Sequence, residues 1–207
     1  MDRRTPPTLE VEAALERRGA TTIAGCDEVG RGAPFGPVAV GIAVLATPLT
    51  APPPGLRDSK LLSAIQRTAL VPQIRGWVLD ASVGFAEAAE VDAHGILGAL
   101  NMAGHRALAQ LRHPPEVVVL DGPLAWLELA PGQASVHPEV GGDRRCAVVA
   151  AASVLAKVAR DLLLDDLDQR YPGYGFSTNR GYGTAAHRAA ARSLGLTPEH
   201  RHSWRFP

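Results

Sequence analysis

The stretch TTIAGCDEVGRGAPFGPVAVGIAVL, Thr21 to Leu45, decides the fold. Thr21 to Cys26 is an apolar run of strand length that closes on two acids, Asp27 and Glu28. A glycine-rich turn follows, Gly30-Arg31-Gly32-Ala33-Pro34, and a second apolar run extends from Pro37 to about Leu45. Two strands joined by so short a loop read as an antiparallel hairpin. Downstream, Pro48 to Gly55 is a proline-rich loop, Leu61 to about Leu70 has helical spacing, and Trp77 to Phe85 reads as a third strand. Val91 to Leu111 again has helical spacing, and Val117 to Leu120 is a continuous apolar strand ending at Asp121-Gly122. After a Pro/Gly-rich loop, Ala147 to Leu167 is the clearest helix. Its predicted buried stripe is Val148, Ala151, Leu155, Val158 and Leu162, with Ser153, Lys157, Arg160 and Asp161 on a different stripe that addresses one site. Upstream, Thr8 to about Arg18 reads as a short helix with Thr8 as N-cap and Gly19 as C-cap. This order predicts a mixed α/β domain (an α+β mixed sheet) with antiparallel first strands. The expected divisions are a helical lead-in at 1–20, the main domain at 21–170, and a basic extension at 171–207 packing on it and contacting substrate.

The chain has 207 residues, 46% hydrophobic and 20% charged, enough to bury a core without staples. Cys26 and Cys146 are too few for a disulfide framework or a cysteine zinc site. No apolar run approaches the ~20 residues of a membrane span, and the opening Met1 to Pro7 has no apolar core of a secretory signal. A cytoplasmic protein with no membrane partner is the expectation. The net charge of zero argues against bulk attraction to nucleic acid. It leaves room for an acidic pocket offset by bound divalent ions. Among 21 basic residues only Lys60 and Lys157 are lysines. From Asn179 onward the tail is basic: Arg180, Arg188, Arg192, Arg201 and Arg205 stand against a single acid, Glu199.

Acids close both central strands, Asp27-Glu28 and Asp121, and a third position, Asp143, lies in Gly141-Gly142-Asp143 just before the main helix. Carboxylates at the ends of neighbouring strands can converge, and their repulsion raises pKa values unless cations are bound. Oxygen ligands alone suit Mg²⁺ or Mn²⁺ rather than Zn²⁺. Two such ions about 4 Å apart activate a water and stabilise the leaving oxygen of a phosphodiester. Singly, Asp121-Gly122 also reads as a turn and Asp143 as a loop acid. Adjacent strand residues point to opposite faces, so Glu28 joins Asp27 only across a break in the strand, or through its backbone carbonyl.

Six ordered blocks carry a resemblance. Gly25-Cys26-Asp27-Glu28-Val29-Gly30-Arg31-Gly32 with Gly36-Pro37-Val38, Asp58-Ser59-Lys60-Leu61-Leu62-Ser63, and Leu120-Asp121-Gly122 come first. Ala151 to Asp161 (AASVLAKVARD), Tyr171-Pro172 with Tyr174-Gly175-Phe176, and Gly181-Tyr182-Gly183-Thr184 with His187, His200-Arg201 and Ser203 complete the set. Together they resemble ribonuclease HII over about Ile23 to Trp204. The resemblance implies a ribonuclease H-like fold with flanking helices and a C-terminal helical extension. It implies hydrolysis of RNA in RNA–DNA hybrids and incision 5′ of single ribonucleotides in duplex DNA, leaving 3′-hydroxyl and 5′-phosphate ends. A monomer using two Mg²⁺ or Mn²⁺ ions is expected.

By the same resemblance, Asp27, Glu28, Asp121 and Asp143 are the catalytic metal ligands. The substrate-binding set is Gly30, Arg31, Gly32, Lys60, Ser153, Lys157, Arg180 and Tyr182. Gly30 and Gly32 lack Cβ atoms and so admit the sugar to the backbone. The 2′-hydroxyl is then read as donor and acceptor. Tyr182 packs on the deoxyribose after the ribonucleotide, while Lys60, Ser153 and Lys157 hold phosphates; Lys157 alternatively pairs with Asp161 at i,i+4. Asp165, Asp166 and Asp168 read as a solvated helix end. The chain departs from the family in having Gly142 where a lysine precedes the fourth acid, Asn179-Arg180 in place of His-Lys, and Gly95 within the middle helix. Ribonuclease HIII carries an extra N-terminal domain, and a transposase-like core lacks the C-terminal blocks. A non-catalytic hybrid-binding module is opposed by the intact acid quartet.

Overall fold

The computed structural model describes residues 6–206. The chain start read above as lacking a signal therefore lies outside the described residues through Thr5. Five strands form one sheet in the order β3-β2-β1-β4-β5. Strand β1 (Thr22–Val29) pairs antiparallel with β2 (Val38–Ala46), which pairs antiparallel with β3 (Asp80–Ala86). On its other side β1 runs parallel to β4 (Val117–Asp121), and β4 runs parallel to β5 (Ser135–Glu139). The hairpin read from Thr21–Leu45 is thus the sheet's centre. This mixed α/β architecture is the expected class.

Helices cover both faces. On one lies α3 (Ala88–Ala109), over a core of Ala24, Cys26, Val40, Ile42, Val118 and Leu120. On the other lie α2 (Ala64–Trp77) and α5 (Ala147–Arg170), over Ile23, Ala43, Leu45 and Val119. Alternate β1 residues belong to opposite cores, as the period of two requires. The alanine-rich face of α5 approaches the sheet closely because a Cβ at Gly25 would strike the Val148 carbonyl and one at Gly41 the Ala152 carbonyl. That approach lays α5 across the strand end bearing Asp27. Among the described residues no helix is long and apolar enough to cross a membrane.

Several expectations change. Helix α1 (Glu10–Glu16) begins after Leu9, so Thr8 is not its N-cap; Thr8 instead bridges to Cys146 through backbone bonds with Arg145 and Ala147. Helix α2 starts at a capping box of Ser63 and Gln66, runs through Pro72, and absorbs Trp77 from the predicted third strand. Helix α3 is broken at Gly95 (φ 70°, ψ 170°). Strand β5 occupies what reads as a Pro/Gly-rich loop. Leu162 is 62% exposed and leaves the predicted stripe: beyond the sheet, α5 meets Phe35 and Phe176, which take Leu164 and Leu167 instead. The short helix α4 (Gly142–Arg145) precedes α5, while α6 (Phe176–Asn179) and α7 (Ala185–Leu194) form the C-terminal part.

Candidate active site

The pair Cys26–Leu120 is in register between parallel β1 and β4, so Asp27 and Asp121 are the next residues of adjacent strands and share the α5 face. Helix α4 brings Asp143 to the same point, and its backbone N–H donates to Asp121 Oδ1 at 3.3 Å. One carboxylate oxygen from each of Asp27, Asp121 and Asp143 lies within 4.8 Å of the other two. Asp27 and Asp143 are buried. Burial, then the Asp121 charge, pushes the Asp27 carboxyl well above the usual range, against the Ser153 hydroxyl and Lys60. Burial and then Asp143 raise Asp121 as well, with the Asp143 N–H opposing.

Glu28 stands apart. The ladder from β1 to β2 runs unbroken through Asp27–Gly41 and Glu28–Val40, so the strand does not break and Glu28 takes the opposite parity. Arg31 Nη1 donates to its Oε1 at 3.2 Å, and its Oε2 is buried without a partner among the described residues. Burial raises the Glu28 carboxyl, with Arg31 opposing. Cations flank the cluster: Lys60 Nζ is 3.3 Å from Asp143 Oδ2, and Arg144 Nε is 3.6 Å from Oδ1. Desolvation draws the Lys60 ammonium down, yet Asp143, Asp27 and Asp58 hold it above its ordinary value. Gly142 itself carries no cation, and a Cβ there would meet Val149 at 3.3 Å and Asp121 Oδ1 at 3.4 Å.

The other predicted residues divide. Lys60, Arg31 and Tyr182 reach the surface. Ser153 is fully buried, its Oγ hydrogen-bonded with Ser59 Oγ at 2.9 Å, beneath the cluster rather than on the cleft wall. Lys157 Nζ donates to Asp161 Oδ1 at 2.6 Å, the intrahelical alternative. Arg180 donates to the Asp161 carbonyl at 3.0 Å and to Asp165 at 2.5 Å, so Asp165 is an anchor rather than a solvated helix end. Asp168 likewise caps α6 through Phe176 N and Ser177 Oγ.

Two buried arginines hold the glycine turn. Arg160 donates to the carbonyls of Pro37, Phe35 and Arg180, and Arg201 to those of Gly30, Arg31 and Gly36. Arg160 therefore braces the turn instead of facing the site with Lys157. Gly30 (φ +86°) has no room for a side chain, since a Cβ would strike the Arg160 guanidinium; at Gly32 a Cβ would meet nothing. Only Gly32 leaves its backbone open to a ligand. The structural roles of Arg160 and Arg201 lie outside the sequence reading, because an arginine in a basic tail or on a polar stripe reads as surface.

The sequence is similar to the family model described as ribonuclease HII over residues 24–206. The chain belongs to the ribonuclease HII family. It is 46% identical over 202 residues to the ribonuclease HII of Streptomyces coelicolor, covering 97% of this chain and 84% of that one. It is 46% identical over 187 residues to that of Synechococcus sp. strain RCC307, covering 89% and 91%. The crystal structure of the ribonuclease H2 of Pyrococcus horikoshii OT3 superposes with a TM-score of 0.71 at 26% identity, covering 89% of this chain and 94% of that one. Membership in ribonuclease HII makes the chain a hydrolytic, divalent-metal-dependent type 2 ribonuclease H that cleaves RNA in RNA–DNA hybrids. The donor set fits hard divalent ions: three converging carboxylates, mutually repelling, with a fourth holding an orphaned oxygen nearby.

Proposed function

We propose that Asp27, Asp121 and Asp143 hold a pair of Mg²⁺ or Mn²⁺ ions, with Glu28 contributing its backbone carbonyl or free Oε2. On this reading the chain cuts the RNA strand of hybrids and incises 5′ of a single ribonucleotide in duplex DNA, leaving 3′-hydroxyl and 5′-phosphate ends. The observation that carries it is the convergence of three carboxylates from two strands and α4 to within 4.8 Å. When bound, the ions supply an activated water and charge neutralisation at the phosphodiester.

The chain's own residues do the rest. Asp143 is held between Lys60 and Arg144, and its N–H fixes Asp121. Lys60, 71% exposed at its side chain, is available to a substrate phosphate. Gly32 offers open backbone to the sugar edge, and Tyr182, 40% exposed, offers a ring face for the next deoxyribose. A cytoplasmic monomer belongs to the same reading.

The test is duplex DNA with one internal ribonucleotide, assayed with and without divalent ion, the nick mapped to the nucleotide. Wild type cuts 5′ of the ribonucleotide only with ion present, and Asp27→Asn abolishes cutting with an unchanged circular dichroism spectrum. Near-normal turnover in that variant refutes the ligand set.

A further inference from the structure

The five arginines of the tail are not equivalent. Arg180 is tied to Asp165, and Arg201 is buried on three carbonyls. Arg188 and Arg205 are exposed, and among the described residues neither pairs with an acid. Both line a pocket of about 290 Å³ with Gly32, Pro34, Trp204 and Phe206. The pocket thus opens on the one glycine of the turn whose backbone is uncovered.

Its cation is already oriented. Arg188 Nε donates to the Gly183 carbonyl at 3.2 Å, and the guanidinium lies over the Phe206 ring at 5.2 Å. That leaves the two Nη groups as a fork fixed in place, a geometry suited to phosphate oxygens. Gly183 is part of the fit, because a Cβ there would crowd Arg188 Nη2 at 3.2 Å and Phe206 at 3.3 Å. Lys60 lies at the acids, whereas this pocket flanks the turn on its C-terminal side.

We propose that the Arg188–Arg205 pocket binds a backbone phosphate of the nucleic-acid duplex, anchoring it beside the Gly-Arg-Gly turn at a point separate from the acids. The identity of the duplex as ligand rests on the function proposed above. A phosphate contact positions the duplex without reading sequence, so it serves all-DNA and ribonucleotide-containing duplexes alike.

Binding is measured by fluorescence anisotropy in EDTA, on an all-DNA duplex and on the same duplex with one ribonucleotide, across a salt series. The proteins are wild type, Arg188→Ala, Arg205→Glu, the double variant Arg188→Ala/Arg205→Ala, and Arg112→Ala, a charge-matched control before the opposite end of β4. The double variant is expected to lose roughly tenfold in affinity for both duplexes and about one from the slope of log K against log salt, with Arg112→Ala unchanged. Arg205→Glu changes an exposed residue and keeps the test valid where Arg188→Ala disturbs Phe206. Equal affinities and slopes in wild type and pocket variants overturn the pocket. So does a pocket that responds to inorganic phosphate by thermal shift while duplex binding is unaffected. Cleavage by wild type, assayed in parallel, tests the function separately: if it fails, the all-DNA duplex still decides the pocket.

Discussion

A methyl group added at Gly30 would strike the Arg160 guanidinium, while one added at Gly32 meets nothing. The two glycines share a turn and read identically in the sequence as openings for the sugar; in the structure Gly30 is buried against Arg160 and Gly32 is exposed. Gly30→Ala forces a left-handed residue and displaces a buried arginine. It is expected to cost about 2 kcal/mol or more of stability, read as a lower urea midpoint. Gly32→Ala should leave that midpoint unchanged and reduce cleavage at a lone ribonucleotide more than on a long RNA–DNA hybrid. Equal loss on both substrates removes the sugar-reading role. Arg31→Ala should weaken binding in a salt-dependent way. It also strips Glu28 of its one side-chain partner, so the kinetic effect should exceed that of losing one phosphate contact.

At the scale of elements, what was legible depended on burial. The strands that carry Asp27 and Asp121 contain continuous apolar runs because they are covered on both faces, and they stand out in the sequence for that reason. Strand β5, Ser-Val-His-Pro-Glu, is a mostly exposed edge strand, so neither alternation nor an apolar run announces it. Asp143 stands out in the sequence as an acid after two glycines before the main helix, but its convergence with the strand acids comes only from the family's pattern, since α4 is four residues long. The Glu28 parity was foreseeable from the period of a strand, whereas the carbonyl-binding of Arg160 and Arg201 needs tertiary contacts that no local pattern encodes. Within the C-terminal extension runs a hydrogen-bond chain of the same hidden kind. Thr197 N–H donates to His200 Nδ1 at 2.9 Å, so His200 Nε2 carries the proton toward His187 Nε2 at 3.1 Å, and His187 Nδ1 donates to the Tyr182 carbonyl at 3.0 Å. Burial, then His187, lowers His200 to about 4 from its ordinary 6.5. The unfolded chain takes this proton near 6.5 and the folded one only near 4. His200 therefore favours the fold fully above pH 6.5 and loses about 3 kcal/mol as pH falls toward 4. Urea titrations of wild type and His200→Asn across that window should show a steeper acid loss in wild type; parallel curves dismiss the relay.

For the whole molecule, the acid cluster sets stability against function. Without ions the fold must hold three converging carboxylates, and the raised pKa values of Asp27 and Asp121 report the cost of keeping them charged. Asp121→Asn keeps an oxygen to accept the Asp143 N–H while removing one charge. In EDTA at neutral pH this variant should therefore melt above wild type, although it is expected to be inactive. Divalent ion reverses the order. A ligand that binds only the folded state at a hundredfold excess over its Kd adds about 2.7 kcal/mol. For a chain of this size that is a rise of roughly 5 to 10 °C. Wild type should show the rise with Mg²⁺ or Mn²⁺, and Asp121→Asn should show little of it. Calorimetry of both proteins, with EDTA and with each ion, decides the matter: an ion-free variant melting below wild type, or equal ion-induced shifts in the two, would mean that the carboxylates are not held together for a cation. The predicted crossing of the two melting orders follows from one geometric fact, that Asp27 near the end of β1, Asp121 at the end of β4 and Asp143 at the start of α4 meet at the same point.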